Sequence, residues 1–131
     1  MDQNKFANVV LYLLEQCPDS GSTKLLKLLY LADSEHYRQH LRSITGARYV
    51  ALERGPVLDR YRDHFASLEA TGVVGKTMVP IHGQNPMDKY TPRQHPDTDA
   101  LEDTERVVLA DVCKKHGHRT GKELTAILHR D

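Results

Sequence analysis

The sequence predicts a mainly α fold, a compact single domain over residues 1–131 with about five helices and a small β-hairpin. Three observations point there. Apolar residues return at i, i+3, i+4 and i+7 along most of the chain, the rhythm of one helical face. Glycine and proline punctuate those runs at turn-sized intervals. A length of 131 residues suits one hydrophobic core and is short for two.

Phe6, Val9, Val10, Leu13, Leu14 and Cys17 mark the first helix, with Pro18 closing it and PDSGS as the turn. Ser22 or Thr23 is expected to cap a second helix running to about residue 42. SITGARYVALERG mixes β-branched and small residues around a glycine and predicts a short extended segment or hairpin. Gly55-Pro56 breaks it, and Pro56 suits the first position of a third helix with Leu58, Tyr61, Phe65 and Leu68 on one face, stopping near Gly72. Residues 73–98, rich in proline and turn residues, predict a β-hairpin with its tip around His82 to Met87. Leu101, Val108, Leu109 and Val112 trace a fourth helix ending before Gly117. Thr120 with Glu123 is a capping box for a last helix bearing Leu124, Ile127 and Leu128.

Lys+Arg and Asp+Glu cancel at 18 each, so no bulk field steers the chain toward nucleic acid or an anionic membrane. Locally the charge is uneven: six arginines fall between Arg38 and Arg62, whereas Asp97 to Asp111 is mostly acidic, patches that serve contact or plain solvation. Cys17 and Cys113 occupy apolar helical positions without a CxxC, and read as reduced core residues of a cytosolic protein. The amino terminus lacks the pattern of a signal peptide, and no apolar run approaches the roughly 20 residues that span a bilayer. A soluble, cytoplasmic protein is the expectation.

The stretch KLLKLLYLADSEHY, residues 24–37, carries the main chemical question. At about 100° per residue, Lys24, Lys27, Ser34, Glu35 and Arg38 gather on one side. Asp33 points the opposite way, between Leu26, Leu29 and Tyr37, with His40 on the same face. A buried carboxylate must be bonded, because leaving it unpaired costs several kcal/mol. Two roles fit Asp33. It is either an acceptor for backbone N–H groups, a tyrosine or an arginine that fixes the next loop, or a general base or metal ligand; the structural role is the commoner.

His36 and His40, at i and i+4, are spaced to share a metal, but no HExxH or third ligand accompanies them, and surface and boundary histidines are expected. His116 and His118 flank Gly117 at a helix end, where an imidazolium suits the dipole. No nucleophile motif, P-loop or dinucleotide fingerprint occurs, so neither an enzyme nor a cofactor is expected. Arg38, Arg42, Arg48, Arg54, Arg60 and Arg62 around a helix–hairpin body admit a winged-helix reading. The helix with the strongest basic edge is also the most apolar, however, and belongs at the centre of a fold rather than in a groove.

Lys24 to Asp33 followed by RSITGARYVALERGPV resembles the Panacea domain, the SocA-like antitoxin family also labelled phage-associated protein. That family combines a KLLY-type helix, an acidic residue just beyond it, and a Gly-Pro some twenty residues later. Lys27, Leu28, Leu29, Tyr30, Asp33, Gly55, Pro56 and Val57 match it. The closing TGKELTAILH is similar to the family's last helix, with His129 at the position of its terminal histidine. Members commonly continue into an acidic and aromatic tail where this sequence stops at Arg130-Asp131, and some carry an added DNA-binding module, which is not expected within 131 residues.

The resemblance implies an antitoxin that neutralises a protein toxin, encoded by the adjacent gene, through direct contact. The family's targets include alarmone-synthetase-like enzymes, and one member acts as a proteolytic adaptor. Under that reading the matched residues form a scaffold. The candidate contact surfaces are the edge of the second helix (Lys24, Leu31, Arg38), the third helix around Arg60 and Arg62, and the hairpin tip from His82 to Met87.

Overall fold

The computed structural model describes residues 1–17, 20–83 and 85–128. Helix α1 spans Gln3–Gln16, capped by the Asp2 carboxylate, which accepts from the Lys5 N–H at 3.0 Å. Its buried face carries Phe6, Val9, Val10, Leu13 and Leu14, as the periodicity predicts. Pro18 and the first part of the PDSGS turn lie outside the described residues, as does His129.

Helix α2, Ser22–His40, lies at the centre of the fold. Gly21 is its N-cap and no side chain bonds there, so neither Ser22 nor Thr23 does the capping. Leu41 ends it in the left-handed region at φ 62°. Elements pack on α2 from several sides, and this overturns the single-face projection. Lys24 and Lys27 are buried with Leu25, Leu26, Leu28 and Leu29, whereas Tyr37 and His40 point outward.

Strands β1 (Tyr49–Leu52) and β2 (Gly55–Leu58) form an antiparallel hairpin in which Tyr49 faces Leu58 and Val50 faces Val57. Pro56 therefore sits within a strand instead of opening a helix. The sequence signal fails because the φ that proline imposes serves a short strand as well as a first helical turn. Helix α3, Tyr61–Ala70, begins after Arg60 and buries Phe65 and Leu68. Gly72 terminates it at φ 77°, where the Val73 N–H returns to the Leu68 carbonyl at 2.9 Å.

A second antiparallel hairpin joins β3 (Val74–Val79) to β4 (Met87–Pro92), so the described residues hold two small hairpins, the first where the sequence admits an extended segment or a hairpin. Helix α4 spans Asp103–His116 and α5 spans Gly121–Leu128. The predicted capping box at α5 is present: Thr120 Oγ1 accepts from the Glu123 N–H at 3.1 Å, and Glu123 accepts from the Thr120 N–H at 3.0 Å.

One apolar cluster unites these elements, with α1, α4, α5, β2 and β4 all packed on α2. Phe65 links the two sides, its ring 5.9 Å from Phe6 and 4.6 Å from Tyr90. Glu105, read from the sequence as part of an acidic surface patch, is buried. It accepts from Lys5 Nζ at 2.9 Å and from the Glu102 N–H at 2.7 Å, tying α1 to the start of α4.

Candidate partner-binding face

Asp33 is 2 % exposed, and both its oxygens are engaged. Oδ1 accepts from the backbone N–H groups of Ile44 and Thr45 at 2.9 and 3.0 Å. Oδ2 accepts from the hydroxyls of Thr45 and Tyr49, each at 2.6 Å. The carboxylate thus gathers the loop after α2 and fastens the first residue of β1. Burial, followed by the charge and hydrogen bond of Asp33, pushes the Tyr49 hydroxyl well above the usual tyrosine range. The Tyr30 ring meets Tyr49 edge-on at 5.2 Å, packing over the same junction.

Lys27 performs the matching task at the other end of the hairpin. Its Nζ donates to the Arg54 carbonyl in the turn at 3.0 Å, and burial lowers its pKa. Gly55, at φ 108°, lies so close that a Cβ there would be 3.4 Å from Lys27 Nζ. Lys27 and Gly55-Pro56, distant in sequence, therefore meet; Asp33 and Tyr30 meet at Tyr49. Together these residues clamp the β1–β2 hairpin to α2 at its base and its turn.

Tyr49 and Leu58 point inward from this clamped hairpin, and the neighbouring positions point away. Val50, Leu52 and half-buried Val57 share the outer face, where Leu52 is 58 % exposed. With Tyr61, Arg60, Arg62 and Asp63 they line an apolar groove of about 370 Å³. Arg60 holds the left-handed region at φ 58°, its guanidinium 3.3 Å from Asp63, and Arg62 lies over the Tyr61 ring at 5.4 Å.

The other candidate contacts are scattered. Lys24 is no surface residue: its ammonium donates to the Gly117 carbonyl at 2.6 Å in the corner between α4 and α5, which covers that side of α2. Leu31 is half-buried against the core, and Arg38 is exposed and bonded to Glu35. Arg38 and Gln39 hold the Glu35 carboxyl down to about 2. His82 is exposed near the tip of the second hairpin. Met87 instead folds back over Gly21, where it would obstruct any added Cβ. Of the candidate contact residues only Arg60 and Arg62 border the groove, joined there by the motif residue Val57. Val50, Leu52 and Tyr49 were missed, although the β alternation Tyr49-Val50-Ala51-Leu52 carried the signal.

The histidine pair also differs from expectation. His36 is fully buried, not a surface or boundary residue, because α4 covers it. Its Nδ1 is 2.7 Å from the Arg42 carbonyl and its Nε2 is 3.0 Å from Thr104 Oγ1. A carbonyl only accepts, so Nδ1 carries the hydrogen there. Among the described residues no three His, Cys, Asp or Glu side chains gather as a metal site. None of the described helices is long and apolar enough to cross a membrane.

Comparison with curated proteins returns no match, and neither does comparison with solved structures. A protein-family comparison matches residues 25–131 to "Antitoxin SocA-like, Panacea domain", a span that contains Lys27, Asp33, Gly55 and the whole of the clamped hairpin. The chain therefore belongs to the SocA-like antitoxin family of Panacea domains.

Proposed function

We propose that this protein is the antitoxin of a type II toxin–antitoxin pair, that it neutralises a cognate protein toxin by direct binding, and that the outer face of β1–β2 makes the contact. The apolar groove around Val50, Leu52 and Val57 carries the choice of surface. Exposed apolar side chains scattered singly need no explanation, but here they share one face, and that face is held on α2 by the Asp33 and Lys27 clamps. A rigid apolar patch loses little conformational entropy on binding. Arg60 and Arg62 at the rim favour a partner that sets acidic residues around an apolar anchor. The action is stoichiometric binding rather than turnover, a reading supported by Asp33, whose oxygens are committed to structural donors.

Co-expression with the adjacent open reading frame tests the proposal. The neighbour should arrest growth alone and be harmless beside this protein. Leu52→Glu should fold normally, since Leu52 is exposed, yet lose neutralisation and co-purification of the toxin. A neighbour that is harmless alone, or that stays toxic beside the wild-type chain, removes the antitoxin reading. Full protection by Leu52→Glu removes only the assignment of the face.

A further inference from the structure

Cys17 and Cys113 stand 96 positions apart in the chain, and their Sγ atoms lie 3.0 Å apart in the fold. Cys17 is fully buried just past the end of α1. Cys113 is half-buried in the last turn of α4, on the wall of a cavity of about 730 Å³. That cavity opens between the start of α2 and the corner joining α4 to α5 and is also lined by Lys24, Lys114 and Arg119.

The close approach is built into the fold. A Cβ on Gly117 would stand 2.5 Å from the Cys113 carbonyl oxygen and 3.2 Å from Cys17 Sγ, so glycine lets the end of α4 close over the buried sulfur. Lys24, anchored to the Gly117 carbonyl, places an ammonium near both sulfurs. The hydrogen bond between the two sulfurs lowers the Cys17 pKa, and the Lys24 charge adds to this. The same bond, with burial, pushes Cys113 up.

We infer that Cys17 and Cys113 form a reversible intramolecular disulfide, a modification site whose oxidant is a hydroperoxide entering through the cavity beside Cys113. Cys113 faces the cavity, and as the hydroperoxide arrives its S–H proton passes to the anionic Cys17 sulfur it is hydrogen-bonded to, so the attacking sulfur is that of Cys113. This sulfur attacks hydrogen peroxide, the O–O bond breaks, and a sulfenic acid forms as the released hydroxide takes up a proton and leaves as water. Cys17 then attacks that sulfur, forming the S–S bond and expelling a second water. Two thiols and one hydrogen peroxide become one disulfide and two waters. The sulfurs need only close from 3.0 Å to about 2.0 Å, a shift within reach of side-chain torsions. The bond staples the end of α1 to α4 and closes a loop between residues 96 positions apart, which restricts the unfolded ensemble strongly.

The test exposes the full reduced chain to hydrogen peroxide, then denatures and alkylates it. The expected product has lost both free thiols and the mass of two hydrogens. Digestion should yield a peptide containing residue 17 joined to one containing residue 113, and dithiothreitol should undo the link. The oxidised protein should melt several degrees higher than the reduced one. Cys113→Ser, at a half-exposed position, should fold and keep Cys17 as a free thiol after the same exposure. Full alkylation of both thiols after peroxide, sulfinic acid at Cys113 without a link, or only intermolecular dimers would each overturn the inference.

Discussion

Four donors converge on the Asp33 carboxylate, two of them backbone N–H groups and two of them hydroxyls, and this division decides how substitutions there behave. Alanine leaves all four without an acceptor in a buried site, at a cost of about 2–4 kcal/mol. Asparagine turns its carbonyl to the two N–H groups and its NH₂ to Thr45 and Tyr49, whose hydroxyls rotate to accept. Asp33→Asn should therefore lose roughly half as much stability as Asp33→Ala by urea denaturation, and equal losses would refute the bonding scheme. Lys24→Glu belongs to this scale too. It sets a carboxylate against the Gly117 carbonyl in a buried corner, so it should destabilise by about 3 kcal/mol or more, where an exposed lysine would tolerate the change.

The β1–β2 hairpin is the element that function rests on, and its turn depends on a backbone conformation that L side chains rarely adopt. Gly55 at φ 108° sits beneath the Lys27 ammonium. Gly55→Ala should cost about 1–3 kcal/mol, from backbone strain and from displacing Lys27. Amide exchange in residues 49–58 should quicken more than in α4, because only this element loses its tether. An exchange map changed evenly over the molecule would mean that the hairpin is not separately clamped. The hairpin was only half legible in the sequence. Its β-branched and aromatic residues pointed to extended structure, but Gly55-Pro56 reads equally as a helix start. The cross-strand register and the Arg48 carbonyl, which accepts from the Asp59 N–H at 2.9 Å, extend the pairing past the proline.

Across the whole molecule the tyrosines report on packing. Burial pushes Tyr90 up to about 12, and burial with Asp33 drives Tyr49 higher still. Unfolded, each releases its proton near the ordinary value of 10.0, while the folded chain retains it. Their contribution to stability is thus full below about pH 10 and shrinks as pH rises toward the folded values. Tyrosinate absorbance should show Tyr90 ionising around pH 12 and Tyr49 later still, or both together with unfolding. Ionisation of all 6 tyrosines near pH 10 in a folded protein would contradict the packing around α2.

Local residue order was sufficient for the helical rhythm, the Gly72 stop, the Thr120–Glu123 capping box and an acid on the leucine-rich helix, because each signal lies within a few neighbouring residues. The partners of that acid, the burial of Lys24, Lys27 and His36, the outward face of Val50 and Leu52, and the meeting of Cys17 with Cys113 were decided only by tertiary structure. A helical projection assumes one buried side. Here α4, α5 and both hairpins enclose α2, so burial is set by segments far along the chain whose arrival no local periodicity records.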